Sequence, residues 1–137
     1  EMCIRDRQAV CRIALLVLTT LTSAACARWQ APDASDPHGM AFQLIGCDHD
    51  WPSDVPMEAI VRRETGNPPS YFVRDPVECG MDVTEPRYRL SGNTLFLSYT
   101  TKVPANGEVG ACACEYDSRF TFRTLPASVR NVRFEQH

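Results

Sequence analysis

Ala111-Cys112-Ala113-Cys114-Glu115-Tyr116-Asp117-Ser118-Arg119-Phe120-Thr121-Phe122-Arg123 alternates with a period of two. Cys112, Cys114, Tyr116, Phe120 and Phe122 share one parity, and Glu115, Asp117, Arg119 and Arg123 share the other. Successive side chains of an extended strand point to opposite faces, so the pattern predicts a half-buried strand with one apolar face and one wet face. Both sulfurs are expected on the core face. Two such side chains lie parallel and several ångströms apart, and a bond between them would need a kink in the backbone. Each sulfur is therefore expected to reach across to a different partner, one to Cys47 and the other to Cys79.

The flanking stretches read as short strands separated by turn residues. Met40 to Cys47 is an apolar run between Gly39 and Asp48-His49-Asp50, long enough for one strand. Tyr71-Phe72-Val73-Arg74 lies between Pro68-Pro69 and Pro76, which predicts a short strand near a sheet edge, where a missing donor is tolerated. Tyr88 to Ser91 and Thr94 to Thr101 flank Gly92-Asn93, a two-residue turn, and so read as a hairpin. Asn106-Gly107 joins its second arm to the strand that carries Cys112, and Asn131 to Glu135 alternates once more. These elements predict an all-β fold, a small disulfide-bridged β-sandwich that is immunoglobulin-like in the broad sense. Met57 to Glu64 stays open between two states. It has helix formers, Ser53 or Asp54 as N-cap and Gly66 as a stop, which predicts a short helix over 57–64, but Ile60-Val61 suits a strand equally.

The cysteine reading depends on compartment, and the N-terminal part of the chain speaks to that. Ile13-Ala14-Leu15-Leu16-Val17-Leu18, then small and polar residues up to Cys26, has the pattern of an export signal. It is shorter than the roughly 20 apolar residues a bilayer core demands, so it is expected to be removed rather than to anchor. Ser23-Ala24-Ala25-Cys26 resembles the lipobox of bacterial lipoproteins, and this resemblance implies acylation of Cys26 and a membrane as partner. Ser23 departs from the aliphatic residue of that pattern, and Ala25-Cys26-Ala27 offers an ordinary cleavage site, so simple secretion stands as the alternative. Glu1 to Arg7 resembles the in-frame translation of a sequencing adaptor, which leaves Arg12 as the positive charge before the apolar run. The expected organisation is an adaptor-derived segment over 1–7, a signal helix over 8–25, a tether over 26–38 and a β-domain over 39–137. Export to the cell envelope, facing the periplasm or the exterior, leaves the reducing cytosol, so four cysteines beyond Cys26 suggest two disulfides.

From Cys26 onward the chain has 11 basic and 15 acidic side chains, a net charge of −4. That argues against a nucleic-acid partner, which needs a basic surface. Candidate chemistry is sparse. Cys47, His49, Cys112 and Cys114 offer thiolate and imidazole donors suited to copper or zinc, against which stands their use in disulfides. Asp48 with Asp50, or Glu115 with Asp117, would be a carboxylate pair for catalysis or calcium, although alternate acids on a strand usually make its wet face. The chain has three histidines, His38, His49 and His137, and neither a Gly-x-Ser-x-Gly nor a His-Glu-x-x-His motif. Trp51 before Pro52 is expected to seal a core end, and Trp29 falls in the expected tether. No catalytic residue and no cofactor is expected. The sequence thus points to an envelope lipoprotein that binds or supports rather than catalyses, with a periplasmic metal-binding protein and a small secreted inhibitor as alternatives. Loops Asp48 to Val55 and Lys102 to Glu108 are the expected binding segments.

Overall fold

The computed structural model describes residues 28–136, so the expected signal helix, Cys26 and His137 lie outside the described residues. Seven strands follow one another: β1 (Met40–Asp50), β2 (Ile60–Arg63), β3 (Ser70–Glu78), β4 (Asp82–Ser91), β5 (Thr94–Lys102), β6 (Ala113–Phe122) and β7 (Asn131–Gln136). They form a four-stranded sheet in the order β1-β6-β3-β2 and a three-stranded sheet in the order β4-β5-β7. The fold is all-β, and the two sheets face each other as a sandwich with a four-plus-three division of strands.

The alternation of β6 does what its sequence predicts. Cys114, Tyr116, Ser118, Phe120 and Phe122 are buried, while Glu115, Asp117, Arg119 and Thr121 turn to the outer face. β6 runs antiparallel to both neighbours, with Phe120 opposite Phe42 on β1 and opposite Tyr71 on β3. From the other sheet come Tyr88, Leu95, Leu97 and Tyr99, which close the core over Phe120, Phe122 and Val73. Aromatic rings meet edge to face throughout, Tyr88 with Phe122 at 5.1 Å and Phe42 with Phe120 at 5.0 Å between centroids. The Gly92-Asn93 hairpin joins β4 to β5, with Gly92 at a φ of +59°, a conformation that suits a residue lacking a Cβ. β7 adds parallel to β5.

Several expectations need correction. The open stretch over 57–64 forms no helix; Ile60–Arg63 is a strand paired with β3 from Arg74 to Tyr71. Ala59 and Val61 both pack against the core, so period two wins over helix-forming composition. The Tyr71–Arg74 strand is longer than its prolines suggest and lies inside its sheet between β6 and β2. Pro76 fits there because β2 pairs with β3 only as far as Arg74. β1 continues through Asp48-His49-Asp50, past two register shifts against β6. Asn106-Gly107 lies in a long loop that changes sheets, since β5 and β6 belong to different ones. Cys112 precedes β6 and is exposed, so only Cys114 of that pair faces the core.

The described part of the expected tether is folded onto the domain. Gln30 makes a two-way backbone bridge with Tyr88, and the Arg89 guanidinium sits 5.0 Å from the Trp29 ring. Asp36 is buried, accepting hydrogen bonds from the Tyr88 hydroxyl at 2.5 Å, the Met40 amide at 2.5 Å and the His38 amide at 2.9 Å. Burial alone would raise the Asp36 pKa, but these hydrogen bonds outweigh it and hold the carboxylate below its ordinary range.

Two substitutions on one strand test the face assignment. Phe120→Ala is expected to cost about 3–5 kcal/mol of unfolding free energy, and Thr121→Ala on the outer face less than about 1 kcal/mol. Urea unfolding of both variants measures the difference. Tyr88→Phe, which removes a donor from the buried Asp36, is expected to cost about 1–3 kcal/mol in the same assay.

Candidate functional site

β1, β3 and β5 end, and β4 and β6 begin, at the same end of the sandwich, as the registers Asp50 with Cys114, Glu78 with Ala113 and Asp82 with Lys102 require. Both disulfides lie there. Cys47 pairs with Cys114, their Cα atoms 5.7 Å apart, and Cys79 pairs with Cys112 at 5.5 Å. Each member of the Cys-x-Cys thus reaches a different partner, Cys114 from within β6 and Cys112 from the loop before it. The second bridge pins the end of the 103–112 loop to the β3–β4 turn. Backbone bonds reinforce it: the Cys79 amide donates to the Cys112 carbonyl at 2.9 Å, and the Gly110 amide donates to the Cys79 carbonyl at 2.7 Å. A Cβ on Gly110 would lie 3.1 Å from the Cys79 Cβ, so the loop closes tightly on the bridge.

The other long connection at this end, 51–59, is anchored by Trp51. Its ring is buried, its amide donates to the Ala113 carbonyl at 2.8 Å and its indole Nε1 donates to the Val55 carbonyl at 3.3 Å. Trp51 is not part of either core cluster, so the expected core seal is not what it provides; its ring is buried against Arg74 on the outer side of the four-stranded sheet. Arg74 lies 5.7 Å over its ring and donates from Nε and Nη2 to the two Glu115 carboxylate oxygens at 2.7 and 2.5 Å. That hydrogen-bonded pairing holds the Glu115 pKa below its usual range. Around this frame the surface is acidic: Asp48, Asp50, Asp54, Glu78, Asp82 and Glu108 are all exposed. Three large apolar side chains of these loops are exposed as well, Met57 at 59%, Val103 at 55% and Val109 at 42%.

Beneath this end the sheets border a half-open pocket of about 220 Å³, lined by Asp75, Val77, Met81, Tyr99 and Gln136 among others. Asp75 is fully buried. Its Oδ2 accepts the Tyr99 hydroxyl proton at 2.7 Å and its Oδ1 accepts from the Gln136 amide at 2.5 Å. Burial pushes the Asp75 pKa up, and the two hydrogen bonds only partly offset it. Asp117, on the outer face of β6, is also shifted up, by burial first and then by the neighbouring Glu115.

The residues singled out in sequence separate accordingly. With Cys47, Cys112 and Cys114 bridged, no thiolate accompanies the exposed His49, so that set is not a metal-ligand set here. Asp50 comes close to the sulfurs of Cys79 and Cys112, but those two are bonded to each other. Glu115 is committed to Arg74, and Asp48-x-Asp50 lies on the edge strand β1 as a solvated face. His38 meets the Tyr88 ring at 5.9 Å, at the far end of the sandwich from His49. Sequence reasoning passed over Asp75 and Asp36. The parity of Tyr71, Val73 and Val77 marks Asp75 as inward-facing; nothing local marks Asp36.

Asp75 yields a pH test. Its folded pKa lies above the ordinary 3.8, so the protonated form favours folding. This contribution is full below the unfolded value and is lost as pH rises through the folded one. Replacing it by Asn removes the titration: the stability of wild type relative to Asp75→Asn is expected to fall as pH rises from about 4 towards neutrality. Denaturant midpoints across that range measure it. Comparison with known proteins adds no assignment: no protein-family model, no curated protein and no solved structure matches this chain.

Proposed function

We propose that this chain is an envelope lipoprotein, acylated at Cys26, whose β-sandwich serves as a binding or structural module without enzymatic activity. The observation that carries the reading is the convergence of both disulfides on one end of the sandwich. Covalent bridges there hold the 103–112 loop and the end of β1 rigid, which lowers the entropy a surface must lose on binding. The exposed Met57, Val103 and Val109 in an acidic surround suit a partner that offers apolar side chains within a basic rim. Disulfides of this kind form in an oxidising compartment, which agrees with the export-like segment before Cys26.

Mass spectrometry of the chain recovered from the membrane fraction of an expressing bacterium tests the anchor. A diacylglyceryl group on Cys26, with Cys26→Ala recovered unmodified in the soluble fraction, is expected; an unmodified, cleaved wild-type chain would overturn the reading. The mature domain is further expected to weigh four hydrogens less than its reduced form and to resist alkylation until reduced. Replacing either cysteine pair by serine should cost roughly 4 kcal/mol, given closed loops of 33 and 67 residues, and chemical unfolding measures that loss.

A further inference from the structure

The end opposite the disulfides carries the reverse charge. Arg62 and Arg63 on β2, Arg119 on β6 and Arg130 just before β7 surround two adjoining depressions that share Arg63. The larger, about 590 Å³, runs along the 64–68 loop; the smaller, about 170 Å³, has Leu125 and Val129 in its wall. Arg119 is bonded to Glu64 at 2.8 Å through Nε. Arg62, Arg63 and Arg130 are exposed and make no ion pair among the described residues. Arg123 adds a further exposed cation at this end, where its guanidinium lies against Gly39. The remaining acids here are few: Glu64 is paired with Arg119, Asp36 is buried in its hydrogen bonds, and Asp33 is exposed.

The beginning of the described chain arrives at this same end. Gly39 and His38 bond to Arg123 and Thr124, and Arg28 lines a depression with His38, Tyr88 and Leu90. A strand of nine or ten residues at about 3.3 Å each separates the two ends by about 30 Å. That is several times the roughly 8 Å screening length at physiological ionic strength. A surface touching the arginine end therefore meets local positive charge, although the chain as a whole is negative.

We infer that the arginine end, built on Arg62, Arg63 and Arg130, rests on anionic lipid headgroups and directs the disulfide-clamped end away from the membrane. The inference rests on the anchored reading for its geometry, because residue 28 follows Cys26 by two positions and an acyl chain there would hold this end against the bilayer. Charge complementarity selects the lipid: exposed arginines that make no ion pair among the described residues favour a net-anionic headgroup surface over a zwitterionic one.

The test uses the unacylated mature chain, beginning at residue 26 with Cys26→Ser, sedimented with vesicles of phosphatidylcholine and phosphatidylglycerol or of phosphatidylcholine alone. Partition onto the anionic vesicles only, reversed by salt, is expected. The triple variant Arg62→Gln, Arg63→Gln, Arg130→Gln should lower that partition on the order of a hundredfold, while the corresponding triple Lys variant retains it. All three positions are exposed, so unfolding midpoints should match the wild type. Equal partition onto both vesicles, no partition onto either, or wild-type partition by the Gln variant would overturn the inference. So would loss in the folded Lys variant, which would indicate recognition of a discrete anion by guanidinium geometry. Acylation is read separately by mass: vesicle binding without acylation removes the anchored reading alone, and acylation without arginine dependence removes this inference alone.

Discussion

Everything in this molecule hangs on the double pairing of β6. It is the strand that hydrogen-bonds β1 on one side and β3 on the other, and it presents Phe120 and Phe122 to the opposite sheet. A central antiparallel strand has both rows of backbone groups satisfied, so its side chains are free to divide strictly between a dry and a wet face. The dry face organises the core. The wet face carries Glu115 to Arg74 and Arg119 to Glu64, ion pairs that tie β6 to β3 and to the loop after β2. Because those pairs are partly exposed, they orient side chains more than they stabilise the fold.

The same strand explains what could be read from sequence and what could not. Alternation from Cys114 to Phe122 is a local property that marks the right faces, whereas the same parity extended to Cys112 fails because β6 begins only at Ala113; that the two cysteines take different partners holds nonetheless. Which partner each takes depends on register: β1 shifts against β6 twice, between Leu44 and Gly46 and between Cys47 and Asp50, and that brings Cys47 to Cys114. No local pattern encodes that shift. Pro76 misled for a related reason, since a proline marks only the loss of one donor, and the partner strand can simply stop short of it, as β2 does. Ile60–Arg63 was ambiguous because four residues contain just over one helical turn and two strand repeats, so the neighbour β3 decides. Of the candidate end, the pairing of the cysteines with different partners was legible, and the place of Trp51 on the outer side of the sheet was not. The gathering of exposed acids at one end and arginines at the other was not, because it arises when residues distant in sequence are brought to common ends by antiparallel pairing.

The placement of the disulfides follows from where burial is thin. The main core, from Met40 and Tyr71 through Leu95 and Leu97 to Phe120 and Phe122, fills the half of the sandwich away from the bridges. At the bridged end the buried apolar cluster contains only Val77, Cys114 and Tyr116, and a buried carboxyl, Asp75, occupies the space that an aliphatic side chain would fill elsewhere. A domain of this size has little hydrophobic surplus, and an end that contains a half-open pocket and an ionisable group contributes less than its share. Two cross-links that close long loops supply the missing constraint through the unfolded state rather than through contacts. This division leaves the bridged end free to vary its surface. The 103–112 loop, tied through Cys112 to Cys79, need not bury apolar side chains to stay in place, so Val103 and Val109 can remain exposed there, whereas the 51–59 loop is held by the buried Trp51 and leaves Met57 exposed.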